Sequence, residues 1–206
     1  FGIRKRLLEY DDVMNKQRQS FYGRRRVVLA REDVHDEVVE MVEGVLVAQL
    51  ESHWPDKGDP EPEQVNALAR AIEVLFGVRF DPAEPPFAGK VLDKDAVGRA
   101  VFERLVAALD EKELERDVVL RTLDRLWKEH LHAMDALRDG IRFRGYAQRD
   151  PKVEYAREGF TIFEEMNDRI DSQSVEEIFK VWIDESRLEE AARQIAAQAA
   201  PTPSQT

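Results

Sequence analysis

Cysteine is absent from the 206 residues. Disulfides, thiolate metal sites and a cysteine nucleophile are excluded with it. A reducing compartment is compatible with that absence but not required by it. Glycine (10) and proline (9) are scarce, so few positions can break a helix. No apolar run approaches the roughly 20 residues that cross a bilayer. There is no Gly-rich phosphate loop, since Gly145 stands alone, and a nucleotide site wholly inside the chain is excluded on that ground. The start, Phe1-Gly2-Ile3-Arg4, carries neither an initiator Met nor a signal pattern, and reads as a segment of something longer.

Charge, by contrast, is abundant. Charged residues make up 35% of the chain and hydrophobic ones 43%. That balance suits long exposed helices with narrow apolar stripes better than one deep core. The net charge is −11, unevenly spread: residues 1–31 carry +6, which leaves −17 for the rest. Arg24-Arg25-Arg26 raises nucleic acid or anionic lipid as a partner. The acidity of the whole would repel phosphate at longer range, so packing on an acidic neighbouring domain is expected instead, and no specific nucleic acid.

The apolar pattern predicts an all-α fold. Ile3, Leu7, Tyr10, Met14, Gln17, Phe21 and Val28 form a heptad-like stripe, interrupted by Gln17 and weakened by Gly23. The pattern resumes at Val34, Val38, Val42, Val45, Leu46 and Leu50 and stops at Trp54-Pro55, where proline lacks the amide donor. Residues 1–53 thus read as one long helix. A turn cluster runs from Asp56 to Pro62. A helix with Val65, Leu68, Ala69, Ile72, Leu75 and Phe76 on one side follows, with Gly77 as its C-cap. Another spans about Asp93 to Leu109. Residues 54–115 form a small helical insertion with its own partial core.

Val119, Leu123, Leu126, Trp127, His130, Leu131, Met134 and Leu137 mark the broadest stripe, which Gly140 can end. A helix resumes at Pro151, a first-turn position, with Val153, Ala156, Phe160, Phe163, Asn167 and Ile170 as its expected inner face. Two apolar helices joined by a short loop lie antiparallel. This hairpin belongs to residues 116–180. A last helix over about 174–198 and a disordered end at 200–206 complete a C-terminal part spanning 181–206.

Catalytic constellations are missing. His130 and His132 are two apart, which places their rings roughly 200° apart on a helix, so a metal pair is not expected. Glu9, Asp11 and Asp12 could suggest acid–base chemistry, yet hydrogen bonds or ion pairs with an adjoining domain explain them better. The loop of the hairpin is the unusual element, with Arg142, Phe143, Arg144, Tyr146 and Arg149. Such residues can grip polypeptide without demanding one sequence, or the aromatics can fold back on the hairpin. Pattern leaves both readings open.

Two stretches carry a resemblance. Leu8-Glu9-Tyr10-Asp11-Asp12-Val13-Met14-Asn15-Lys16-Gln17-Arg18 resembles the start of the long scaffold helix of the SecA family, bacterial preprotein-translocase ATPases. Leu126-Trp127-Lys128-Glu129-His130-Leu131, then Met134-Asp135, Leu137-Arg138, Gly140-Ile141, Arg144-Gly145-Tyr146-Ala147-Gln148, Asp150-Pro151-Lys152 and Glu154-Tyr155 resemble that family's two-helix finger. The resemblance implies a scaffold helix over 1–53, a helical wing over 54–115 and the finger over 116–180. It implies that Tyr146 at the finger tip, with Arg144, Gln148 and Arg149 beside it, meets the translocating chain at the mouth of the SecYEG channel. It implies that Tyr10, Asp11, Asp12, Asn15, Gln17 and Arg18 contact the nucleotide-binding and preprotein cross-linking domains, and that the finger restrains ATPase activity. ATP and Mg would be cofactors of the parent protein, with none held here. This chain alone would be inactive, at work on the cytoplasmic face of the plasma membrane through the channel. The zinc tail of many members has no counterpart in Pro201-Thr202-Pro203-Ser204-Gln205-Thr206. Composition alone would favour a stand-alone helical adaptor.

Overall fold

A computed structural model describes residues 2–31, 33–89, 92–109, 112–144 and 150–199, with side chains for 10–31, 33–89, 92–109, 115–141 and 150–181. Among these, all regular structure is α-helical. The helices are α1 (Gly2–Ala30), α2 (His35–His53), α3 (Pro62–Phe76), α4 (Lys94–Ala108), α5 (Lys112–Arg144) and α6 (Pro151–Ala199). The expected all-α class is what forms. Two compact units divide the chain, the first comprising residues 1–42 and 112–174, the second 43–111 and 175–206.

In the first unit, α1 runs antiparallel to α5. Gln17 meets His130, Phe21 stacks on Trp127 and Arg25 meets Asp124, so partners descend along α5 as they rise along α1. Against α6 the order is parallel, from Tyr10 on Tyr155 through Gln17 on Gly159 to Arg24 on Asp171. The hairpin helices are therefore antiparallel to each other, as Arg125–Gln173 and Arg169–Glu129 also show. Aromatic rings form a column through the unit. Phe21 lies nearly flat on Trp127 at 4.3 Å between centroids, Trp127 stacks on His130 at 5.3 Å, and His130 meets Phe163 edge-on at 5.6 Å.

One helix was expected through to residue 53, and two form. The break falls at Arg31–Val34 and not at Gly23, around which the helix is open to solvent. The Asp33 carboxylate accepts the His35 backbone N–H at 2.9 Å. That local bond offers the backbone an alternative to helix continuation, and Val34 is buried just beyond it. A glycine inside a helix costs only about 1 kcal/mol, and buried Phe21 and Val28 on either side outweigh it.

Two further expectations change at the hairpin. Helix α5 passes Gly140 and ends at Arg144, because Ile141 continues the buried face after Leu137. Helix α6 is continuous from Pro151 to Ala199, with no second start near Ser174, which is itself buried. Its inner face is also rotated from the expected one. Val153 and Phe160 are 58% and 59% exposed, while Tyr155, Met166 and Ile170 are buried. Both stripes have helical spacing and share Ile170. The second prevails because Tyr155 pairs with Tyr10 and because Gly159 lets the other helices come close.

The second unit follows its local signals. Pro62 opens α3, the Gln64 side chain accepts the Glu61 backbone N–H at 2.9 Å, and Gly77 closes the helix at φ 61°. Asp93 caps α4 by accepting from the Ala96 N–H at 3.1 Å. Phe76 meets Phe179 edge-on, Phe80 meets Phe87 likewise, and the Arg104 guanidinium lies over Phe80.

The column through Phe21 is where the first unit's packing energy concentrates. Phe21→Ala is expected to lower the unfolding free energy by about 3–5 kcal/mol. Tyr22→Ala, one residue on and 45% exposed, is expected to cost about 1 kcal/mol or less. Urea unfolding followed by circular dichroism measures both.

Candidate functional site

The loop expected to act, Gly145–Arg149, lies outside the described residues, and with it Tyr146, Gln148 and Arg149. Arg144 is the last residue of α5, and its side chain also lies outside them. What is described is the base that carries the loop. Tyr10, Met134, Leu137, Ile141 and Tyr155 form a buried cluster, with Val13, Met14 and Ile162 packed against it. Tyr10 and Tyr155 meet at 4.5 Å between centroids, tilted by 45°. Burial pushes the Tyr155 phenol up to about 12. The start of α6 is set by Asp150, whose carboxylate accepts the Lys152 backbone N–H at 3.0 Å, with Pro151 needing no donor in the first turn.

Below that cluster lies the polar interruption of the α1 stripe. Gln17 is only 7% exposed. Its Nε2 donates to the Gly159 carbonyl on α6 at 2.8 Å, and its Oε1 lies 3.0 Å from His130 Nε2 on α5. A carbonyl can only accept, so the amide nitrogen must face Gly159 and the amide oxygen His130. His130 therefore carries its proton on Nε2. Its Nδ1 is buried and has no partner among the described residues. Burial lowers the His130 pKa from 6.5 to about 4. His132, by contrast, is exposed, as the two-residue spacing requires. The apolar pattern marked Gln17 as an interruption, the family resemblance made it an interdomain contact, and Gly159 was given no role. The available signal was the conjunction of a lone amide in one apolar stripe with a histidine in another.

The residues expected to contact other domains fall into three groups. Tyr10 and Gln17 face inward and are engaged within the unit. Asp11, Asn15 and Arg18 line a cavity of about 520 Å³, whose other walls are Met14, Leu131, Met134, Asp135, Arg138 and Tyr155. Asp12 is exposed. Arg18 donates to Asn15 at 3.2 Å and Arg138 pairs with Asp135 at 2.9 Å. The cavity offers paired charges over a methionine and leucine floor. That is recognition chemistry, and it presents no nucleophile with an adjacent base. Among the described residues no group of three or more His, Cys, Asp or Glu could hold a metal ion, and no helix is long and apolar enough to cross a membrane.

Two residues of the basic start find acidic partners on the hairpin. Arg24 pairs with Asp171. Arg25 grips Asp124 through two bonds, 2.7 and 3.0 Å, and this pairing holds the Asp124 carboxyl below its ordinary range.

The family model for the SecA wing and scaffold domain matches residues 1–182. The chain belongs to the SecA family. Among its relatives, the protein translocase subunit SecA of Pseudomonas fluorescens (strain Pf0-1) is 37% identical over 215 residues, which cover 96% of this chain and 24% of that protein. The namesake subunit of Solibacter usitatus is 39% identical over 189 residues, covering 87% and 19%. That of Chromobacterium violaceum is 39% identical over 193 residues, covering 89% and 21%. The chain thus spans about a quarter or less of the length of the curated SecA relatives it matches. The match takes in both units, α1 and the hairpin included.

The buried histidine gives this SecA segment an acid sensitivity whose sign is fixed. Between pH 6.5 and 4 the unfolded chain binds a proton at His130 that the folded chain refuses. Stability from this group is complete above pH 6.5 and is lost as pH falls towards 4. The loss amounts to about 3 kcal/mol. His130→Leu is expected to flatten the stability profile over that window relative to the parent chain, measured by urea titration at half-unit pH steps.

Proposed function

We propose that the chain is the C-terminal mechanical and regulatory part of a SecA-like, ATP-driven motor that pushes preproteins through the SecYEG channel. The observation that carries this reading is the family match over residues 1–182 coinciding with an antiparallel α5–α6 hairpin clamped to α1. In this reading residues 1–53 are the scaffold, 54–115 the wing, 116–180 the two-helix finger and 181–206 a C-terminal helix and linker. Nucleotide-binding domains elsewhere in the parent protein bind ATP and Mg and supply the energy. The hairpin converts their motion into displacement of its loop.

Chemistry suits the loop to that task. A motor that moves many sequences needs a contact with no side-chain preference, and an aromatic ring with a polar end provides one. Tyr146 is that contact, with Arg144, Gln148 and Arg149 at the channel entrance. The exposed Asp12 and the cavity bordered by Asp11, Asn15 and Arg18 are available to the nucleotide-binding and preprotein cross-linking domains. Docking there gives the finger a route to restrain ATP hydrolysis in the free enzyme. The protein works at the cytoplasmic face of the bacterial plasma membrane, held there by the channel.

In a full-length translocase carrying this segment, Tyr146→Ala is expected to slow preprotein import into inverted membrane vesicles by about tenfold, equivalent to roughly 1.4 kcal/mol in the translocation step. Basal ATP hydrolysis is expected to stay within about twofold of the parent. Equal losses in both assays would overturn the assignment of Tyr146 as a polypeptide contact.

A further inference from the structure

The layers that hold α1 to the hairpin are mostly apolar or aromatic, from the Tyr10–Tyr155 pair at one end to the Phe21–Trp127 stack farther along. Such layers contribute stability but discriminate poorly between one axial register and another. The α1 stripe repeats at steps of three and four, so a slip by a turn or a heptad brings apolar residues against apolar residues again. Directional groups reject the slipped states: the partly exposed Arg25–Asp124 and Arg24–Asp171 pairs at the margin, and any polar group buried in the seam itself. Gln17 is the polar member of the stripe, and both ends of its amide are bonded, one to each helix of the hairpin.

Gly159 leaves room beside the amide for Met134. A Cβ there would stand 2.7 Å from Met134 Cε and 3.7 Å from Gln17 Nε2. A side chain at 159 would thus press on the methionine that closes the seam beside the amide. The carbonyl beneath has two lone pairs, so it can serve α6 and Gln17 together. In a slipped register the Gln17 amide and the His130 N–H would both face apolar side chains, each unpaired polar group costing about 1–3 kcal/mol.

We propose that Gln17, His130 and Gly159 form a register lock that fixes where α5 and α6 stand along α1, and so sets the height at which α5 ends and α6 begins. Gln17 and His130 are positioning residues: they act on the loop through the helices that carry it. The consequence for polypeptide contact rests on the reading of that loop given above; the lock itself does not.

The test measures register directly. Cysteines replacing exposed Gln19 on α1 and Glu165 on α6 carry spin labels in the full 206-residue chain, which has no cysteine of its own. The parent is expected to give one narrow distance distribution. The double variant Gln17→Met/His130→Leu exchanges the polar pair for apolar groups of similar size, a change that cores tolerate. It is expected to remain helical and to gain a second population displaced by about 5 Å, one helical turn. His130→Gln alone, which keeps an N–H for the Gln17 oxygen, is expected to keep the single distance. Phe21→Leu, which lowers stability without touching the lock, is expected to keep it too. An unshifted single distance in the folded double variant overturns the proposal, and so does equal broadening in Phe21→Leu. Should the double variant fail to fold, Gln17→Met alone is compared with Phe21→Leu, and an unshifted distance there overturns it equally. Because the readout is a distance, its failure is separable from any failure of Tyr146→Ala in translocation.

Discussion

The first unit depends on one buried amide shared by three helices. Gln17 sits in a stripe that would otherwise be wholly apolar, and burying its side chain without partners would cost about 1–3 kcal/mol. Both ends of the amide are satisfied, but only if α5 presents a ring N–H at 3.0 Å and α6 the second lone pair of a helix carbonyl at 2.8 Å. Those demands propagate. The ring must carry a proton on Nε2, and burial keeps it neutral; on α6, Gly159 leaves room beside Met134 and the amide. A polar interruption in a stripe of large side chains therefore determines which nitrogen of a histidine on one partner carries the proton.

Stability and specificity come from different residues in this arrangement. Phe21, Trp127, Met134, Tyr155 and Ile170 supply buried area, at about 25 cal/mol per Å² removed from water. The ion pairs at the margins contribute less. Arg24 and Arg25 keep about 30% of their side chains exposed, and pairs this wet are worth about 1 kcal/mol or less. Their value is orientational. Arg25 reaches α5 and Arg24 reaches α6, so adjacent residues of α1 tie it to both arms of the hairpin. The basic stretch that suggested nucleic acid is, at these two positions, engaged in holding the hairpin.

Much of the fold was legible because local signals and packing agreed. Helix α3 runs from a proline to a glycine cap and α4 starts at an aspartate cap, since a cap acts over one turn and needs no tertiary information. The hairpin was legible for a similar reason: two stripes separated by a turn can hardly do anything but fold back. The errors arose where a local preference competed with burial. Gly140 could have stopped α5, but Ile141 had a buried place to fill. Asp33, to which the apolar pattern gave no role, accepts the His35 N–H. On α6 two interleaved stripes were equally helical. Periodicity cannot choose between them, because the choice was made by Tyr10 and Gln17 more than a hundred residues earlier in the chain.

The candidate site was legible in a complementary way. Motif order pointed to the SecA family, and the match of its wing and scaffold model over residues 1–182 shows that family. A motif, however, does not say whether a residue acts outward or inward. Tyr10 and Gln17 belong to the same quoted stretch as Asp11, Asp12, Asn15 and Arg18, yet the first two are buried and the others line a cavity or face solvent. Helical geometry explains the split, since residues three and four apart share a face and their immediate neighbours do not. One short segment of α1 can thus serve two purposes. Its inner face bonds and packs on both arms of the hairpin, while Asp11, Asp12, Asn15 and Arg18 on its outer face stay exposed, so whatever binds the outer face acts on a helix whose inner face already grips both arms.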